Sequence, residues 1–192
     1  MILLGSTLIN APVMSLQTGG ELARTKTAII DPANLAIIAY ELNGSRLTMH
    51  PTLLRIVDVR ELSDLGLIVD SEDEFVTEHD VIKLDEIYLI HFELINMLVI
   101  DEKHRKLGHI IDYTLDTSGF YIQQITVRRP FLRSLNDTEL LIHRSQIIEI
   151  NDKSIVVHSE AKIPEPERKD VTGSYINPFR KSEAAPESIN RQ

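Results

Sequence analysis

The segment "LINAPV" at residues 8–13 returns as "LINMLV" at residues 94–99, 86 positions later. A chain that writes one pattern twice folds as two copies of one unit, so this echo constrains the architecture more than any other feature. The match is collinear along the chain. Leu22 falls on Leu107, and "DPANL" (31–35) falls on "DTSGF" (116–120), both at an offset of 85. Each pentapeptide opens with Asp at the first position of a β-turn, with Pro32 second in one and Gly119 fourth in the other, as turn chemistry favours. A third block, "VRELSDLGLIVDSE" (59–72), aligns with "IIEINDKSIVVHSE" (147–160) at an offset of 88. It keeps Glu61/Glu149, Asp64/Asp152, Val69/Val157, Ser71/Ser159 and Glu72/Glu160. Drift of the offset from 85 to 88 places small insertions in loops between shared strands.

Each unit reads as mainly β. In the second, "MLVID" and "GHIIDYTLD" flank the polar turn "EKHRKL", and "GFYIQQITV" follows the next turn. β-Branched and aromatic residues recur there on alternate positions, the pattern of a three-stranded meander. A short helical turn near residues 145–148 and a last strand, "SIVVHS", complete the unit. Between the units, Leu84, Ile87, Tyr88, His91 and Phe92 follow the helical period, which predicts a connecting helix seating the two units against each other.

The run "I-x-x-x-V-x-D-x-x-x-x-x-L-G-x-I-x-D" from Ile95 to Asp112, closed by "LLIHRSQIIEINDKSIVV" (140–157), resembles the PRC-barrel family. That is the small β-barrel of the photosynthetic reaction centre H subunit and of the C-terminal half of the ribosome maturation factor RimM. The chain departs from the pattern in three places. Leu22-Ala23 stands in the first unit against Leu107-Gly108 in the second, Asn10 and Asn96 replace a glycine, and "KHRK" (103–106) replaces a glycine-bearing turn. The resemblance implies two tandem PRC-barrel-like β-barrels with short helical turns. Residues 1–83 would form the first, and residues 84–160 the connecting helix and the second. Residues 161–192 hold four of the eight prolines and lose apolar periodicity, which predicts a flexible, disordered C-terminal tail.

Charge is uneven. The chain of 192 residues carries a net charge of −9, which argues against a broadly cationic nucleic-acid binder. Residues 1–87 hold six Lys/Arg against fourteen Asp/Glu, whereas residues 88–160 hold eight against ten. Eleven carboxylates fall in residues 58–86 with only Arg60 and Lys83 as strong cations. A calcium loop needs a permissive glycine that "DSEDEFVTEHD" lacks, so the plainer reading is a solvated face. A face that docks to a basic partner is the sharper one. There is no cysteine, which removes disulfides and thiolate zinc sites. Glu102, His104, His109 and Asp112 are the best metal candidates, but a hairpin would point them apart. No metal or other cofactor is expected.

No G-x-S-x-G, phosphate-binding glycine loop or H-E-x-x-H occurs, so a non-enzymatic role is expected. Arg128, Arg129 and Arg133 surround Pro130 and Phe131, a basic loop suited to an anionic partner. In the tail, "SYINPFRK" gathers Tyr175, Ile176 and Phe179 beside Arg180 and Lys181, which suits either packing back on the second unit or a linear docking motif. The expected function is a protein-binding adaptor module. The alternative is a RimM-like ribosome assembly or RNA-processing factor contacting ribosomal protein or RNA. No apolar run approaches the roughly 20 residues that span a bilayer, so no membrane insertion and a cytoplasmic location are expected.

Overall fold

The asparagine of each "LIN" motif has a left-handed backbone, with φ of 60° at Asn10 and 69° at Asn96. Asparagine is the residue other than glycine that tolerates this region best, so it can stand where a glycine would otherwise be needed. The echo therefore marks a backbone requirement as well as an ancestry. In each copy the left-handed turn delivers the same ladder bond: Asn10 N–H donates to Thr25 O at 2.9 Å, and Asn96 N–H donates to Ile110 O at 2.8 Å.

A computed structural model describes residues 1–129 and 139–158. These residues form fourteen strands and one α-helix. After β1 (Ile2–Leu4), the first half comprises β2 (Pro12–Ser15), β3 (Glu21–Asp31), β4 (Ala36–Asn43), β5 (Leu53–Arg55), β6 (Glu61–Ser63) and β7 (Gly66–Val69). β8 (Phe75–Val76) and helix α1 (Ile82–Ile90) follow. The second half repeats the order: β9 (Leu98–Asp101), β10 (Lys106–Asp116), β11 (Tyr121–Arg128), β12 (Glu139–His143), β13 (Ile147–Ile150) and β14 (Ser154–Val157). Both halves place an 11-residue strand before an 8-residue one. In both, a 3-10 turn leads into the last hairpin, and the final strand returns parallel to the first, as β7 on β2 and β14 on β9.

The halves meet through a reciprocal contact. Leu35 and Phe120 are both left-handed, at φ of 53° and 52°. Ile37 N–H donates to Phe120 O at 2.8 Å while Ile122 N–H donates to Leu35 O at 2.9 Å. Ala36 faces Tyr121 at the centre as the bridge between β4 and β11. Every pair is separated by 85 positions, so a pseudo-twofold axis passes between these two strands, and the contact is isologous. All strands join one sheet, ordered β13-β14-β9-β10-β11-β4-β3-β2-β7-β6, with β1 on β10, β12 on β11 and β5 between β4 and β8. β6 and β13 end this path without pairing to each other, so the sheet is not closed. The mainly-β expectation holds, whereas two separately closed barrels are not what the strand pairing shows.

One hydrophobic core serves both halves, with Val13, Tyr40 and Leu54 from the first packed with Val99, Tyr113 and Ile125 from the second. Helix α1 does not seat the halves together. Leu84 packs on Ala39 and Leu53 on the outer face of the first half, with Ile29, Ile38, Val76 and Tyr88 around them. The helix stops at His91, whose φ of 51° ends it in a left-handed cap. The reason for a single helix lies in the repeat itself. Positions equivalent to Ile29, Ile38 and Ala39 are Thr114, Gln123 and Gln124 in the second half, a polar face that needs no cover.

Tyr40 is wholly buried, and its hydroxyl has no hydrogen-bond partner of normal geometry although it approaches Tyr113. Burial, before the neighbouring phenol, pushes its ionisation far up, and burial pushes Tyr113 up to about 12. Tyr40→Phe removes an unsatisfied polar atom, so thermal and urea unfolding should show unchanged or higher stability, by about 1 kcal/mol. A loss of that size would reveal a genuine bond to Tyr113. Because Tyr113 ionises harder when folded, its contribution to stability is intact below the unfolded tyrosine value of about 10. It is lost as pH rises from there toward 12.

Candidate docking surface

The turn between β9 and β10, residues 102–105, carries "KHRK" out into solvent. Its left-handed residue is His104, at φ 57°, where the first half has Gly19 at φ 68°. A side chain there is strained, and Asp101 supplies the compensation. Only 1% of its side chain is exposed, and it accepts from Lys103 N at 2.9 Å, Arg105 N at 2.9 Å and Arg105 Nε at 2.6 Å. Burial works against ionisation of Asp101, but the bonds from Arg105 and Lys103 outweigh it and hold the carboxyl below its usual range. In the first half the equivalent residue is Ser15, whose hydroxyl accepts only Thr18 N–H at this turn, at 3.2 Å. An ionised carboxylate thus stands where the first half has a hydroxyl, and it holds the exposed residues Lys103, His104 and Arg105 in a defined turn, with exposed Lys106 opening β10.

The β10–β11 ladder brings a second basic segment to the same end. His109 faces Arg128 in register, and Gly108 lies against the Arg128 carbonyl. Lys103, Arg105, Lys106, Arg128 and Arg129 therefore share one end of the sheet. Among the described residues the carboxylates there are Asp101, Glu102 and Glu139. Asp101 is bound to Arg105, Glu102 is bound to His158 Nδ1 at 2.5 Å, and Glu139 stands opposite Arg128 in register. Positions equivalent to these five cations in the first half are Thr18, Gly20, Glu21, Asn43 and Gly44. At these positions the first half carries one carboxylate and no cation, with Arg24, paired to Glu21, and Arg46 standing beside them.

Of the basic residues singled out in the sequence, Arg128 and Arg129 sit at this end, while Arg133 lies outside the described residues. The sequence alone presents residues 103–106 as a polar turn in place of a glycine-bearing one, with His104 a metal candidate, and not as part of a docking surface. Setting the repeats side by side, with "TGGE" replaced by "KHRK", is the signal that reveals them. Tyr175, Phe179, Arg180, Lys181 and the whole 161–192 segment also lie outside the described residues.

The four metal candidates go to separate partners. His109 Nδ1 meets Asn96 O at 2.9 Å, Asp112 accepts from Ser6, Glu102 holds His158, and His104 occupies the turn. Among the described residues no group of three or more His, Asp or Glu side chains has metal-holding geometry. Three carboxylates of the 58–86 stretch serve locally. Asp58 takes both arms of Arg55 at 2.6 and 2.8 Å, Asp70 pairs with Arg60, and Asp80 closes a capping box with Thr77. No helix among the described residues is long and apolar enough to cross a membrane. No family model and no curated protein matches the chain.

Proposed function

We propose that the chain is a non-catalytic protein-binding module built from two PRC-barrel-like units, which docks an acidic partner surface through the basic end of the second unit. The observation that supports this reading is the convergence of residues 103–106 with Arg128 and Arg129 in a chain of net charge −9. At the equivalent positions the first half has Thr18, Gly20, Glu21, Asn43 and Gly44, with Arg24 and Arg46 as its nearby cations. Electrostatic complementarity of this kind sets orientation and association rate. The cations of this end repel a cationic partner.

A pull-down from native lysate, with and without nuclease, tests the partner class. Retention of the same proteins after nuclease treatment, and their release by moderate salt, is the expected result. Partners that disappear with nuclease would replace this reading with the alternative, a RimM-like factor contacting RNA through the same arginines.

A further inference from the structure

A cleft of about 600 Å³ opens where the long strands β3 and β10 face each other across the pseudo-twofold axis. Its existence follows from a breakdown of the repeat. On one side Gly5 lies against the Tyr113 ring so closely that a Cβ would come within 2.3 Å of it. There Ser6 N–H and Oγ donate to Asp112 at 3.1 and 2.5 Å. The lead-in segment is thereby pinned onto the opposite half. The equivalent residues on the other side are His91, Phe92, Ala28 and Thr27. Alanine stands in place of tyrosine, phenylalanine in place of the serine donor and threonine in place of the carboxylate acceptor, and the space stays open.

The walls of this cleft are apolar: Ile9, Ala28, Ile30, Leu94, Ile95 and Ile111 line it. Ile9 and Ile95 are 44% and 40% exposed, so the apolar surface is accessible. A smaller chamber of about 170 Å³ shares Ala28, Phe92 and Glu93 with it and is completed by Glu41, Tyr88 and His91. Tyr88 and His91 stack edge to face with centroids 5.9 Å apart. Aromatic rings beside carboxylates attract a cation. Glu41 is already neutralised by Lys26 Nζ at 2.6 Å, and Asp112 holds Ser6. The Glu93 carboxylate makes no hydrogen bond or ion pair among the described residues.

We propose that this cleft binds a small amphiphilic amine, with an alkyl or aryl body in the main cleft and its ammonium group in the chamber between Glu93 and the rings of Tyr88 and Phe92. The volume falls within the range of small-molecule pockets, and the few polar groups sit at one end, where they can orient a guest. With Glu41 matched by Lys26, the carboxylates of Glu93 and Asp112 leave the rim net negative, which favours a cation over an acid.

Titration of the full chain with 4-phenylbutylamine, followed by amide chemical shifts and calorimetry, tests the proposal. Saturable binding should perturb Ala28, Phe92, Glu93 and Ile95, while 4-phenylbutyrate should not bind. Glu93→Gln should weaken the amine about tenfold, and Ala28→Phe should abolish binding by filling the space. Ile95→Trp provides the same blocking test at an exposed position should Ala28→Phe fold poorly. Absence of saturable amine binding overturns the site. Equal affinity for 4-phenylbutanol, or an unchanged affinity in Glu93→Gln, overturns the assignment of the ammonium group.

Discussion

Gly108→Ala is expected to destabilise the protein by about 3 kcal/mol or more, whereas Ala23→Gly at the equivalent position should cost only about 1 kcal/mol. Gly108 has φ of 155°, and an alanine Cβ would lie 2.0 Å from the Arg128 carbonyl oxygen and 2.8 Å from its carbon. Both obstructing atoms belong to the backbone, locked in the β10–β11 ladder, so neither can swing aside as a side-chain end could. The β9–β10 ladder has a register shift between Lys106 and Gly108, an irregularity next to this close approach. Ala23 occupies the matching place in the first half at 3% exposure. Chemical denaturation of the two variants checks the contrast. A Gly108→Ala protein within 1 kcal/mol of the parent would mean that the two strands do not approach in this way.

Neutralising the basic end should remove partner binding with little effect on the fold. Lys103→Gln with Arg128→Gln takes away two exposed cations, while Arg105, which anchors Asp101, stays in place. Affinity for an acidic partner should fall about tenfold at low salt. The difference from the parent should shrink as salt rises, because exposed charges beyond about 10 Å are screened near 0.1 M. Association rate should carry most of the loss. Equal binding by parent and variant at low ionic strength would retire this surface. The melting temperature should stay within about 2 °C, since surface substitutions of this type seldom exceed 0.5 kcal/mol.

How much of the candidate site was legible can be argued from its own residues. Arg128 and Arg129 stand out because three arginines crowd one short segment. Lys103 and Lys106 do not, because a basic turn is ordinary in a hairpin and its meaning lies in what stands at Thr18 and Glu21 in the other copy. The convergence of the two segments depends on His109 facing Arg128, a pairing that no local pattern encodes. The cleft was equally hidden. Substitution of Ala28 for the counterpart of Tyr113 looks conservative in a strand and becomes a cavity only when the halves face each other.

The strands, their turns and their duplication are written in the chain itself. Alternating apolar residues, Asp-led turns and left-handed asparagines act within a few positions of one another, so local chemistry suffices to place them. The order in which the strands join follows from packing. The expected helix exists, but Ile29, Ile38 and Ala39 draw it to the outside of the first half, and a reciprocal pair of backbone bonds at Leu35 and Phe120 joins the halves instead. Both outcomes depend on which apolar faces find each other across some 85 residues, where burial of the whole surface selects the partner and local propensity has no say.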